Sequence, residues 1–214
     1  MTYGSSRAQG LVRDNRFYHA ELGITLAVPR GWTLDNQRDR LLAYTPTRDT
    51  FMQVTVEAVP PTQGPREFLY TKLKGATVRS TESFTANGMQ GFTAVTSSGS
   101  PLDNGAGPVR WAVLYRGNSA YLFAGASRAS ARGVPEADGL FKSVVETLRG
   151  LKPAEFPLAE PFRVRIRTAE ASTRLEDYAA AVPVERFQKE ELQLINGLYP
   201  NGALKPGSLY KVVE

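Results

Sequence analysis

The 214-residue sequence has no cysteine and a single histidine, His19. Without cysteine there can be no disulfide, thiolate metal site or cysteine nucleophile. With one histidine the usual catalytic zinc, built on two histidines at i and i+4 plus a carboxylate, cannot be assembled. Any Ser-His-Asp arrangement would have to use His19, and the nearby serines, Ser5 and Ser6, fall in a polar lead-in. There is no Gly-x-Ser-x-Gly elbow and no phosphate-cradling glycine loop. No apolar run approaches the roughly 18 residues that span a bilayer. The opening Met1-Thr2-Tyr3-Gly4-Ser5-Ser6 lacks the apolar region of a signal peptide and has the look of a chain begun mid-protein. The lack of cysteine suits the cytosol and equally an envelope protein without bridges.

Charge of one sign is also scarce. The net +5 comes from 26 basic against 21 acidic residues, and residues 160–214 balance at 8 of each, so the excess belongs to the preceding part. There Arg38, Arg40, Arg48, Arg66, Lys72, Lys74, Arg110, Arg116, Arg128 and Arg132 are scattered and interleaved with acids. Nucleic-acid binders cluster such residues with stacking aromatics, so the pattern predicts an ordinary solvated surface and no nucleic-acid partner. Asp35/Asp39 and Glu190/Glu191 read as surface carboxylates, and His19, beside Phe17 and Tyr18, as a packed or surface histidine.

The chain is organised around Leu151-Lys152-Pro153-Ala154-Glu155-Phe156-Pro157-Leu158-Ala159-Glu160-Pro161. Three prolines fix φ and remove donors, which predicts an extended strap over residues 151–161. It separates a polar lead-in (1–18, with one possible short edge strand) and a module at 19–150 from a small module at 162–214. In the first module, Leu22 to Pro29, Leu41 to Thr45 and Phe51 to Val59 read as strands, the last alternating cleanly. Pro65 opens a helix ending at Gly75, and Asn87-Gly88 joins two alternating runs as a hairpin. A flexible Gly/Pro-rich loop, 98–108, precedes a last hairpin, and it is a candidate contact site through Ser98, Asp103 and Asn104. A final helix carries Leu140, Phe141, Val144, Val145 and Leu148 on one stripe. This order predicts an α+β fold: an antiparallel sheet packed on helices.

The small module opens with Phe162-Arg163-Val164-Arg165-Ile166-Arg167-Thr168, an exposed-face strand. Ser172 can cap a helix running to Val182, and a second helix ends at Asn196-Gly197. Leu204-Lys205-Pro206-Gly207 turns into the closing strand, giving β-α-α-β.

Two family resemblances follow from these residues. The strand from Leu22 into Pro29-Arg30-Gly31-Trp32 and the order of elements resemble the PsbP/Mog1-like α/β domains. Ile195-Asn196-Gly197-Leu198 and Lys205-Pro206-Gly207 resemble the lysin motif, which implies binding of N-acetylglucosamine-containing glycans such as peptidoglycan. The glycan residues so implied are Asn196, Gly197, Leu198, Ser172 and Thr173, the alternative for Asn196-Gly197 being a helix C-cap. Where the motif usually has Gly-Asp-Thr, this chain has Ala169-Glu170-Ala171-Ser172-Thr173.

Taken together, the two modules resemble the C-terminal region of bacterial envelope zinc metallopeptidases of the Ste24-like, His-Glu-x-x-His class. That implies a periplasmic, non-catalytic accessory region whose zinc and catalytic residues lie in an upstream domain, with envelope proteins or peptidoglycan as partners. No catalytic residue, metal ligand or cofactor is assigned to this chain itself. The alternatives are a stand-alone peptidoglycan-binding protein, or a module that binds a protein or a small apolar ligand.

Overall fold

The computed structural model describes residues 2–3, 9–102, 105–130, 132–184 and 186–214. The chain divides into two compact units: Ala8–Ala159, and Glu160–Glu214 together with Met1–Arg7. The fold class is α+β, and the strand pairings among the described residues are all antiparallel.

Strand β1 (Thr2–Tyr3) belongs to the smaller unit. The larger unit begins with a hairpin of β2 (Leu11–Arg13) and β3 (Arg16–His19), followed by β4 (Ile24–Ala27). Residues 11–18 of the expected lead-in are therefore structural, with β2 the edge strand of its sheet. The polar ones, Arg13 to Arg16, sit at the hairpin turn, while Phe17 joins the main core and Tyr18 packs with Ala20, Ala159 and Leu151. Burial on both faces erases the alternation by which a strand is usually recognised.

A seven-stranded sheet follows. It contains β5 (Thr33–Asn36), β6 (Leu41–Tyr44), β7 (Phe51–Ala58), β8 (Val78–Ala86), β9 (Met89–Thr96), β10 (Val109–Arg116) and β11 (Ser119–Ala126), in the order β5-β6-β7-β11-β10-β9-β8. Helix α1 (Pro65–Lys72) covers one face through Phe68 and Leu69, which meet Phe92, Val113 and Leu122. Helix α2 (Asp138–Glu146) brings Phe141, Val144 and Val145 to the other face, where Ile24 and Leu26 from β4 complete the core. Short β12 (Arg149–Gly150) then closes a second, four-stranded sheet, β12-β4-β3-β2.

Local chemistry fixes the joints. Asn87 and Gly88 both have positive φ (51° and 78°), as a tight two-residue hairpin turn requires. The Asn87 amide then donates to the carbonyls of Glu146 and Leu148, satisfying acceptors that the end of α2 leaves open. Thr147 Oγ1 ties the same helix end to the Ala27 main chain in both directions, at 2.9 Å each.

The expected extended strap is instead a 3₁₀ helix, Pro153–Ala159, belonging to the larger unit. Pro153 opens it, where a missing N–H costs nothing. Glu155 holds it: the carboxylate accepts Arg149 Nη1 and Nη2 at 2.6 Å each and the Lys152 N–H at 2.9 Å. Fully buried Ala159 then docks beside Tyr18. Because Arg149 and the Lys152 amide bind the ionised form, the Glu155 carboxyl falls to about 2. A depressed folded value stabilises above the ordinary carboxyl range and is lost as pH falls through it. Glu155→Gln should therefore cost about 1–2 kcal/mol at pH 7, after discounting for partial exposure, with the two proteins converging as pH approaches about 2. Denaturant melts at several pH values check this.

In the smaller unit β13 (Phe162–Thr168) lies between β1 and β14 (Leu209–Val213). Between them come a 3₁₀ helix, Leu175–Ala181, and α3 (Gln188–Ile195). The first helix is not the α-helix expected from Ser172. Arg174 is extended at its start, and Val182, restricted by Pro183, is extended at its end. Leu175, Val182, Leu192, Tyr210 and Val212 form this unit's core.

Candidate functional site

Among the described residues no three His, Cys, Asp or Glu side chains group as a metal site, and no helix is long and apolar enough to cross a membrane. What the larger unit does form is a cleft of about 370 Å³ between its two sheets. Phe17, Ile24 and Leu26 make one wall, Val54, Val56 and Tyr121 the other, and Leu148 lies behind. Register explains the opening. Val56 pairs with Tyr121 on β11, and His19 pairs with Ile24 on β4, so the cleft sits where the two sheets part. Along the core-facing row of β7, exposure rises from 1% at Met52 and 8% at Val54 to 41% at Val56.

The turn between β5 and β6 forms the lip, through Asn36, Gln37, Arg38, Asp39 and Arg40. Arg40 grips Asp39 with two bonds, Nε to Oδ1 at 3.1 Å and Nη2 to Oδ2 at 2.7 Å, and donates Nη1 to Gln53 Oε1 at 3.0 Å. Hydrogen bonding to Arg40 holds the Asp39 carboxyl below its usual range. Arg38 is exposed and has no acidic partner among the described residues. His19 reaches the cleft from the opposite side. Its Nδ1 accepts the Leu22 main-chain N–H at 3.2 Å, which places the neutral ring's proton on Nε2, and its ring meets Phe17 edge-on at 6.0 Å.

No family model matches the chain. No curated protein matches it either. Among solved structures it is similar to the solution structure of cyanobacterial PsbP (CyanoP) from Synechocystis sp. PCC 6803, at 11% identity and a TM-score of 0.44, over 66% of this chain and 96% of that one.

Of the glycan residues implied by sequence, Asn196, Gly197, Leu198 and Thr173 are engaged in the fold of the smaller unit. Asn196 Nδ2 donates to the carbonyls of Leu192 (2.8 Å) and Lys211 (2.9 Å), and Oδ1 accepts the Lys211 N–H at 2.7 Å. Gly197, with φ +68°, closes α3 in a paired cap: its N–H bonds Leu194 O and the Leu198 N–H bonds Gln193 O. Thr173 Oγ1 accepts the Glu170 N–H at 2.8 Å, and Ser172 lies in that turn. Asn196 thus pins helix to strand. Asn196→Ala should cost about 1–3 kcal/mol and raise hydrogen exchange at the Lys211 amide about tenfold or more, measurable by NMR.

In the 98–108 loop, Asp103 and Asn104 lie outside the described residues. Ser98 O accepts Thr96 Oγ1, and buried Ser100 is bonded through its main chain to Gly105 and Gly107. Pro101 borders an open groove over Leu42, Tyr44 and Phe51.

Of the lip residues, Arg38, Asp39 and Arg40 were visible in sequence only as surface charges, and Val56 only as one position of an alternating strand. No local signal marks the cleft, because it arises where two sheets diverge. Arg110, expected to be solvated, is 3% exposed and serves the core.

Proposed function

We propose that the chain is a non-catalytic binding region, accessory to a cell-envelope zinc metallopeptidase, which positions the enzyme or its substrate near the cell wall. The observation carrying this reading is a formed cleft in a chain whose one histidine and lack of cysteine cannot furnish the two histidines of the usual catalytic zinc site. Zinc and hydrolysis belong, on this reading, to a domain upstream, and the location is periplasmic. The resemblance of the two modules to the C-terminal region of Ste24-like peptidases supplies the partner. An immunoblot of the source cells against this chain tests it: a polypeptide of about twice this mass or more, carrying His-Glu-x-x-His, is expected. A band near 23 kDa would overturn it.

A second reading, a stand-alone peptidoglycan binder, draws on the strand, 3₁₀ helix, α-helix and strand of the smaller unit, the order of a lysin-like module. Retention on insoluble peptidoglycan at low salt is its expected result, and free passage through the pellet assay removes it.

A further inference from the structure

The cleft carries a more specific inference, which goes beyond the accessory reading and does not depend on it. We propose that it binds a small amphiphile with an apolar body and one carboxylate head, the body lying between the two sheets and the head meeting Arg38.

The body follows from the walls. The apolar row of β7 continues past the point where the protein covers it, so Val56 is 41% exposed while its cross-strand neighbour Tyr121 is 1% exposed. Leu22, half-buried, borders the same opening. A ligand covering such surface gains roughly 25 cal/mol per Å² of apolar area removed from water. The volume, about 370 Å³, is on the order of a dozen water molecules at about 30 Å³ each, which is room for an acyl chain or a fused-ring skeleton. It also falls within the usual range of small-molecule sites.

The head follows from the lip. It presents two guanidiniums, Arg38 and Arg40, and one carboxylate, Asp39. Arg40 is committed to Asp39 and Gln53, so the uncompensated charge is that of Arg38. A single carboxylate matches an arginine fork in both charge and geometry. A cationic head has no counterpart there, and a neutral one leaves Arg38 unused.

Calorimetric titration of the 214-residue chain with sodium decanoate, below its micelle concentration, tests the assignment against decan-1-ol and decyltrimethylammonium. Saturable one-to-one binding of decanoate is expected, with the Val56 and Leu22 methyl resonances moving. Val56→Trp, a filling of the mouth at an exposed site, should abolish it. Arg38→Glu, on an exposed turn that does not touch the core, should weaken decanoate about three- to tenfold and leave decan-1-ol unchanged. Absence of saturation, binding that survives Val56→Trp with methyl shifts elsewhere, or an equal effect of Arg38→Glu on acid and alcohol would overturn the proposal. The native mass of the polypeptide is untouched by any of these results, so either reading can fail alone.

Discussion

Arg110→Ala should destabilise the larger unit by about 3–5 kcal/mol, as expected when one partner of a buried ion pair is removed. At roughly 2–4 °C per kcal/mol for a domain of this size, the melting midpoint should fall by about 6–20 °C. Arg110 is 3% exposed, and its side chain makes four hydrogen bonds. Nε and Nη2 hold the two oxygens of Asp138 at 2.5 and 2.9 Å, while Nη1 reaches Ser80 O and Thr93 Oγ1, each at 3.2 Å. Truncation strands the Asp138 carboxylate and leaves Ser80 O and Thr93 without this donor. Arg110→Lys cannot restore the fork, so it should recover little. Arg110→Ala/Asp138→Ala should be less destabilised than the sum of the single variants, since no unpaired charge remains. Trp32 and Trp111, the protein's two tryptophans, both lie in the larger unit, so their fluorescence in a denaturant melt reports this unit alone.

That arginine also marks where sequence reading stops. Strand alternation set Met52 and Val54 on one face of β7, and both are buried; of the Leu140-to-Leu148 stripe, Phe141, Val144, Val145 and Leu148 are buried while Leu140 is 38% exposed. The same alternation on β10 sets Arg110 in register with Ala112 and Leu114, both buried. Residue type argued for solvent, and the partner that lets a guanidinium sit inside, Asp138, is 28 positions away on another element. The 3₁₀ helix over Pro153–Ala159 was hidden for a similar reason: its prolines are compatible with an extended chain, and the choice is made by Glu155 reaching back to Arg149. The hairpin turn at Asn87-Gly88 was legible because two adjacent residues decide it. The cleft was not, because strands β3, β4, β7 and β11 and the β5–β6 turn come together only in three dimensions.

Gly125→Ala should cost about 3 kcal/mol, the upper end of what overpacking a core usually costs, although the position lies in a strand where alanine is otherwise acceptable. A Cβ there would stand 2.5 Å from Phe141 Cγ and 2.7 and 2.8 Å from its two Cδ atoms. The closest atom is the one that roots the ring, so turning the ring about χ2 relieves nothing. Helix α2 would have to lift, yet it is fastened at both ends: by Arg110 on Asp138, beside Gly125 in the register of β10 and β11, and by Asn87 and Thr147 at the other. Phe141→Leu alone should cost about 1–2 kcal/mol through the space it leaves. Combined with Gly125→Ala it should cost less than the sum by at least about 0.5 kcal/mol, because the smaller side chain makes room for the new methyl. The fastening has its own signature. In an Arg110→Ala background the first turn of α2 is free to shift, so Gly125→Ala should cost measurably less than it does in the parent. An undiminished cost there would mean that Phe141 is held by the sheet and the far helix end alone.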